Sequence, residues 1–457
     1  MEKSNRMLKR NLTSQRAFFT YVAAATLLVM VLGLCLAGPA RAGDSPPPGE
    51  AAPLSGLDFQ RSVDLAMRQS PAFLKSSLEI EVRKVGESDS RFSFIPSLVL
   101  GSTYFINTSK GGKDPGLAYT FSTGQYSPLE SYFSLQASKV FTKMAILGHI
   151  QTISESLRTL ARQFLEWDAA IKMEALQAEV VELTAQKTDF LEKRQGLGVA
   201  SPLEVGIARQ EQALAQSARE NIAASQDIYR RNIYYLLGLT EDQRPGFDLT
   251  ACRSQLLDGY DPWQADLKSV EKKSLQLQIQ SLKEELQAKN ISLAYAKFIP
   301  TFTFGVRNPD PLVDSEDRND MYIALGLTVP IWQGMKRVND ITRQRLILSQ
   351  AKSDAIQKER DLAAQWEAAR TALAGGENSL KLIRSAEELS RLQELQAGIL
   401  YKANSRPLAE FLDARIKHVQ ARMETLKKET ERDQAVLDIR HFSGDLLESF
   451  VKVESIE

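Results

Sequence analysis

The segment Phe298-Ile299-Pro300-Thr301 separates two kinds of hydrophobic pattern. Before it, apolar residues recur at the spacing of an α-helix, and after it they alternate, so that Phe302 and Phe304 share one face of a predicted strand. The same change of period stands 204 residues earlier, at Phe94-Ile95-Pro96-Ser97. A chain of 457 residues that carries one pattern in both halves predicts a duplicated fold.

A second strand is predicted in each copy, at residues 132–138 and 322–329, where apolar and polar side chains alternate. Polar loops lie between the paired strands, at residues 108–128 and 308–320. This alternation is typical of a transmembrane β-barrel, and equally of a half-buried sheet in a soluble α+β domain. Four strands per chain are too few to close a pore, so a barrel requires several copies of the chain.

Long helices follow the strands, at about residues 143–195 and 336–402, and each returns through a second helix, at about 203–237 and 408–442. Such lengths predict coiled-coil packing in two αα-hairpins. Counted from the second strand to the turn, the first copy is 16 residues shorter than the second. We expect the pair Gly375-Gly376 to mark a bend or a break in the longer arm.

The composition excludes several classes of function. The formal net charge is zero, which argues against a general nucleic-acid-binding protein. The two cysteines and three histidines are scattered, so they form no local zinc motif. Neither a Gly-rich phosphate loop nor a nucleophile elbow is present in the sequence, and an enzyme is therefore the less favoured class.

Residues 1–42 have the basic, apolar and Ala-Arg-Ala segments of a secretory signal peptide. The alternatives are a retained membrane anchor at residues 17–37 and a lipoprotein signal at Cys35. After cleavage, residues 43–457 carry 51 basic and 56 acidic residues, a net charge of −5. No later stretch is apolar enough for a transmembrane helix, so a membrane-embedded part of the mature chain is expected to consist of β-strands.

From about Leu57 to Leu446, the sequence resembles the TolC-like outer membrane efflux protein family. The resemblance rests on the two Phe-Ile-Pro segments, on residues 329–334 after the last strand, and on the two hairpin turns. It implies a mainly α fold with a transmembrane β-barrel, in which a trimer forms an α-barrel plus a shared 12-stranded β-barrel. The implied divisions are a signal peptide (1–42), a Pro-rich linker (43–56), a first repeat (57–239), an equatorial segment (240–269), a second repeat (270–446) and a tail (447–457).

The implied function is a passive channel-tunnel in the outer membrane of a Gram-negative bacterium, with its helices in the periplasm. It serves a tripartite efflux or type I secretion system and uses no cofactor or metal. The implied partners are two further copies of the chain, a periplasmic adaptor, an inner-membrane pump of the RND, ABC or MFS type, and outer-membrane lipid. A periplasmic adaptor and a coiled-coil tether remain the alternatives from the pattern of helices.

The first hairpin turn has the local chemistry of a helix end followed by a helix start. Gly198 suits the left-handed conformation that ends a helix, and Ser201-Pro202 with Glu204 is typical of an N-terminal cap. By resemblance, the tip that docks the adaptor comprises Arg194, Leu197, Gly198, Val199 and, in the second turn, Asn404. Asn404 stands where the family has glycine, and asparagine tolerates the same conformation.

The resemblance also places a periplasmic gate at Glu204, Tyr401 and Arg406, in which the latter two tie the closed tip to the carboxylate. It places a selectivity ring at Glu410 and Asp413, which lie three residues apart on one helix face. Rings of carboxylates favour the passage of cations. The alternative for the gate is ordinary surface charge on these helices. For Glu410 and Asp413 the alternative is two solvated acids near a helix N-terminus, where the helix dipole favours them.

Overall fold

The computed structural model describes residues 56–105, 116–240, 243, 245–307, 322–329 and 335–451. The predicted signal peptide, the linker up to residue 55, and the predicted loop at 308–320 lie outside these residues. Within the described part of the chain, no helix is both long and apolar enough to cross a membrane.

The described elements follow one another in the order of two similar halves. They are α1 Phe59–Gln69, α2 Pro71–Phe92, β1 Leu98–Phe105, β2 Gly116–Thr123, α3 Pro128–Gly196, α4 Pro202–Leu237, α5 Leu249–Leu257, α6 Leu267–Lys273, α7 Leu275–Ala296, β3 Thr301–Arg307, β4 Tyr322–Thr328, α8 Lys336–Lys402, α9 Leu408–Phe442 and α10 Asp445–Phe450.

The start of α3 corrects the sequence prediction of a strand at 132–138. The Ser127 hydroxyl accepts a hydrogen bond from the Glu130 N–H at 3.4 Å, and Pro128 occupies the first turn, so the helix begins here. Ala137 and Val140 then pack on Leu286 of α7 at helical spacing. Seven alternating residues are compatible with either period, and this packing selects the helix.

The second strand of the first copy is β2, inside the stretch that the sequence pattern assigned to a loop. This shift removes the 16-residue difference between the arms. Counted from the end of the second strand, the turn residue lies 75 residues on in the first copy (Thr123 to Gly198) and 76 in the second (Thr328 to Asn404). The two copies are therefore nearly equal in length.

Helix α8 runs without interruption through Gly375 and Gly376, so the expected break does not occur. Glycine inside a helix costs about 1 kcal/mol relative to alanine. Packing along α9 offsets this loss, since the backbone of Arg432 passes 3.9 Å from the position of a Cβ on Gly376. The boundaries predicted for α8 and α9 are confirmed.

The strands form an antiparallel four-stranded sheet in the order β1-β2-β3-β4. Leu100 pairs with Phe121, Phe121 with Val306, and Val306 with Ile323. Directly paired residues point to the same side, so a row of apolar side chains crosses the sheet. On β4, Ile323, Leu325 and Leu327 share this side and are largely exposed to solvent. The predicted alternation of β3 and β4 is thus confirmed, and the apolar face is exposed to solvent in the protomer.

The helices lie side by side in two tiers that share α3 and α8. Near the sheet the order is α2-α3-α7-α8, and towards the turns it is α4-α3-α9-α8. Helix α2 begins where α4 ends, because Ser70 and Gln69 contact Gly238 at the end of α4. Within the described residues, α2 and α4 therefore make one lateral edge of the protomer, and α8 makes the other.

The main hydrophobic core surrounds the middle of α3. Phe164 and Leu157 of α3 pack with Phe59 of α1, Ile233 of α4 and Leu446 of α10. A second cluster centres on Trp366 of α8, which is fully buried. The small elements α1, α5, α6 and α10 thus form a belt around the long helices, and this belt fixes the two hairpins relative to each other.

Gly238→Ala is expected to lower the melting temperature of the detergent-solubilised protein. Gly238 has φ of 71°, and an added Cβ comes within 2.4 Å of the Gln69 carbonyl oxygen. Gly259→Ala is the matched control, because Gly259 has φ of 78° and open space around the Cβ position. In both variants, the left-handed backbone conformation destabilises the new alanine by about 1–2 kcal/mol.

Overpacking of about 1–3 kcal/mol applies to Gly238→Ala alone. Thermal unfolding followed by circular dichroism compares the two variants. Equal decreases in melting temperature would show that the junction of α4 and α2 accommodates the added methyl group without loss of stability.

Candidate functional site

The first hairpin turn joins α3 to α4 by a left-handed residue and a cap. Gly198 has φ of 73°, and the Val199 N–H donates to the Arg194 carbonyl at 2.9 Å. The Ser201 hydroxyl accepts from the Glu204 N–H at 3.1 Å, and the Glu204 carboxylate accepts from the Ser201 N–H at 3.0 Å. The predicted helix end and capping box are confirmed, because both depend on local chemistry.

The second turn, between α8 and α9, closes in the same way with a different residue. Asn404 has φ of 53°, and the Ser405 N–H donates to the Leu400 carbonyl at 2.8 Å. This bond spans five residues, as the bond from Val199 to Arg194 does, and both match the hydrogen bond that ends a Schellman motif. Asn404 therefore adopts in the second turn the left-handed conformation that Gly198 adopts in the first.

The two turns present different surfaces. Leu197 is 78% exposed, and Val199 and Leu203 are also largely exposed, so the first turn is an apolar knob. The second turn exposes Asn404 and Ser405, which are polar. Arg194 lies inward of the knob, with its guanidinium over the Phe190 ring at 5.7 Å.

The three predicted gate residues each contact a neighbour within their own hairpin. Arg406 pairs with Glu410 one turn further along, at 2.9 Å. Glu204 serves the capping box of α4. The Tyr401 ring stacks on Phe411 of α9, with centroids 5.8 Å apart and planes 5° from parallel. Within this protomer the structure brings Tyr401 and Arg406 to the second turn and Glu204 to the first, and pairs Arg406 with Glu410 instead of Glu204.

The two predicted ring residues both lie beside a cation. Glu410 pairs with Arg406, and the Asp413 carboxylate accepts from Lys187 Nζ of α3 at 2.6 Å. The same ammonium group donates to Glu211 of α4 at 2.8 Å. Burial opposes the charged form of Lys187, but the hydrogen bonds to Asp413 and Glu211 outweigh it, so the Lys187 pKa lies above its ordinary value.

Sequence reasoning missed Lys187, although the pattern contained a signal for it. On α3 the buried residues Val180, Leu183 and Leu191 recur at helical spacing, and position 187 falls on the same stripe. A lysine in a buried stripe requires an anionic partner. Asp413 on α9 was available as that partner, but only the packing of the hairpins shows that the two residues meet.

An apolar seam joins the two hairpins next to Lys187 and Asp413, on the side away from the turns. Val180 and Leu183 of α3 pack with Leu412 and Val419 of α9. Ion pairs flank it, among them the pair of Arg415 with Glu179 at 3.1 Å. Among the described residues, no cluster of histidine, cysteine or carboxylate side chains is arranged to hold a metal ion. At this end of the molecule, apolar packing and ion pairs between α3 and α9 join the two hairpins.

The fold is similar to that of several solved outer-membrane channels. CusC, whose crystal structures follow the changes that accompany folding and transmembrane channel formation, is 12% identical with a TM-score of 0.71, over 85% of this chain and 92% of that chain. The CmeC outer membrane channel of Campylobacter jejuni is 13% identical with a TM-score of 0.70, over 84% and 85%. The open MtrE outer membrane channel of Neisseria gonorrhoeae is 14% identical with a TM-score of 0.69, over 84% and 88%.

No family model matches the sequence, and no curated protein matches it. At such low identity, the agreement with the solved channels is one of architecture, over most of the length of both chains. The chain therefore has the fold of TolC-like outer-membrane channel proteins.

Proposed function

We propose that three copies of this chain form a passive channel-tunnel in the outer membrane, through which an efflux or secretion system exports its substrates. The observation that carries the proposal is the pair of uncovered edges of the protomer. Each edge runs through both tiers of helices and ends in an edge strand of the sheet, β1 on one side and β4 on the other. Copies joined edge to edge would cover both.

The first edge, on α2 and α4, carries a stripe of exposed apolar side chains. Those on α2 are Leu74, Leu78, Val82, Val85 and Phe92, and those on α4 are Leu203, Ile207, Leu214, Ile228 and Tyr235. In each helix they recur three, four, seven or fourteen residues apart, which places them on one side. An apolar stripe of this length on a single chain is typical of a surface that another protein covers.

The opposite edge, on α8, carries a second stripe. Its exposed members are Val338, Leu346, Ile356, Leu382, Leu389, Leu392, Leu395 and Ile399. The two edges differ in sequence, so joining one to the other is a head-to-tail contact, which closes into a ring when the rotation between copies allows it. A ring of paired long helices would enclose a tunnel.

The sheet supports a membrane location for one end of this ring. Its apolar face is exposed, and β1 and β4 are its two edges within the described residues. A strand edge in lipid leaves backbone groups without hydrogen-bond partners, which closure into a barrel avoids. Three sheets of four strands make a barrel of twelve, the number that the sequence resemblance implies.

The opposite end of the ring is proposed to dock a periplasmic adaptor and, through it, an inner-membrane pump. The apolar knob formed by Leu197 and Val199, with Arg194 and Gly198 behind it, supports this proposal, because exposed apolar side chains at a turn favour a protein partner. Asn404 shapes the companion turn. We further propose that Glu204, Tyr401 and Arg406 close the tip between protomers.

Glu410 and Asp413 are proposed to form the acidic ring of this tip. The ring would favour cations once the intramolecular pairs of both carboxylates are released. The two residues lie on one face of α9, three positions apart.

Native mass spectrometry of the protein, extracted gently from the outer-membrane fraction, tests the assembly. We expect a mass of three mature chains, and stable single-channel currents when this species is added to a planar bilayer. A monomer or a dimer that gives no currents would contradict the proposed channel function. The alternatives of a periplasmic adaptor or a coiled-coil tether would then be favoured.

A further inference from the structure

Lys187 occupies a position shared by three helices and two hairpins. Its side chain on α3 is only 12% exposed, whereas those of Glu211 and Asp413 are 43% and 44% exposed. Glu211 belongs to the same hairpin as Lys187, and Asp413 belongs to the other. One shielded ammonium group therefore connects both hairpins through two half-exposed carboxylates.

Of the other ion pairs between the hairpins, those of Arg158 and Arg162 with Asp438 lie far from the turns. The pairs nearer the tip are more exposed than Lys187. Glu179 binds Arg415 and Arg422, whose side chains are 43% and 45% exposed, so these contacts contribute little to the free energy of hairpin association. Lys187 lies 11 residues before Gly198, or about 16 Å along the helix at 1.5 Å per residue. It is shielded and close to the turn, so its loss affects the tip more than the loss of an exposed pair.

The two acceptors make separation of the hairpins possible without leaving a shielded charge alone. If α9 moves away, Asp413 leaves with it, and Lys187 keeps its hydrogen bond to Glu211. An uncompensated shielded ammonium group would cost several kcal/mol, and Glu211 avoids this cost. Asp413, freed from Lys187, then carries an unneutralised negative charge beside Glu410.

We propose that Lys187 is a clamp that holds the second hairpin against the first and neutralises Asp413 until the tip opens. The proposal rests on the channel function proposed above and adds to it a coupling between opening and ion selectivity. With Lys187 on Asp413, the tip is closed and its charges are balanced. With the hairpins apart, the passage is wider and its wall has gained one carboxylate per protomer.

Bilayer recordings of the full-length protein test this coupling with two substitutions of opposite charge. Lys187→Met and Asp413→Asn are both expected to raise mean conductance about tenfold, since each removes the charge-assisted hydrogen bond that joins the two hairpins near the tip. Their reversal potentials in a KCl gradient are expected to move in opposite directions. Lys187→Met increases cation selectivity because it uncovers Asp413, and Asp413→Asn decreases it.

Lys193→Met is the matched control. Lys193 also lies on α3 and pairs with Asp189 at 2.5 Å, but this pair is exposed and stays within one helix. We expect its conductance and selectivity to equal those of the unaltered protein. Lys187→Arg, which keeps the charge, is expected to remain close to the unaltered protein. If Lys187→Met behaves like Lys193→Met, the clamp is refuted.

Hydrogen–deuterium exchange separates failure of the clamp from failure of the channel. Lys187→Met is expected to accelerate amide exchange in residues 408–423 of α9, and Lys193→Met is not. This readout needs no current, so it decides the clamp even if no variant conducts, a result that would overturn the channel itself. If Arg406→Ser raises conductance and Lys187→Met has no effect, the proposed gate is supported and the proposed clamp is refuted.

Discussion

Leu389→Glu combined with Leu392→Glu on α8 is expected to convert the assembled protein into monomers. Both side chains are exposed in the protomer and lie three residues apart on the apolar stripe of this edge. Assembly would bury two carboxylates per interface against the α4 edge of the next copy. Desolvation costs several kcal/mol per buried ion, and a head-to-tail ring repeats that cost at every interface.

Sedimentation velocity in detergent measures the outcome. Ile171→Glu is the matched control, because Ile171 is also an exposed apolar residue of a long helix but lies on α3, which has neighbours on both sides. We expect this control to stay assembled. Leu78→Glu, on the α2 edge, is expected to weaken assembly from the other side. Intact trimers in the double α8 variant would rule out this edge as the interface.

Arg406→Ser is expected to raise the mean conductance of the channel by a large factor. If Arg406 of each protomer contributes about 1 kcal/mol to the closed tip, three copies contribute about 3 kcal/mol, a factor of roughly 100 in the ratio of open to closed states. Tyr401→Phe is expected to act in the same direction but less strongly, since it retains the stacking on Phe411 and removes only the hydroxyl group.

Two controls distinguish a gate between protomers from the Arg406–Glu410 pair within one hairpin. Glu410→Gln removes the partner that Arg406 has in its own protomer and should not raise conductance if Arg406 acts on Glu204 of another protomer. Arg384→Ser breaks a pair between α8 and α9, with Glu429 at 2.7 Å, and should have no effect. Single-channel recording gives all four values. If Glu410→Gln opens the channel as much as Arg406→Ser, the Arg406–Glu410 pair within one protomer is the relevant contact.

The candidate site was partly accessible from the sequence. The ends of the helices at Gly198 and Asn404 and the cap at Ser201 were predicted correctly, because each depends on residues within one turn of chain. Arg406–Glu410 is also a local pair, four residues apart. The contact between Lys187 and Asp413 was missed, since 226 residues separate them in the chain. No local sequence pattern indicates which helices pack against each other.

The sequence by itself determined the duplication, the long helical hairpins and the conformations of both turns, since periodicity, capping and left-handed residues act over a few residues. Only the tertiary structure decided where α3 begins, because residues 132–138 satisfy both periods and packing on α7 selects the helix. Only the tertiary structure also decided that β2 lies at 116–123, that the apolar edges stand on α2, α4 and α8, and that Lys187 reaches Asp413. These features depend on contacts between segments that are far apart in the chain. The free energies of such contacts cannot be read from a local sequence pattern.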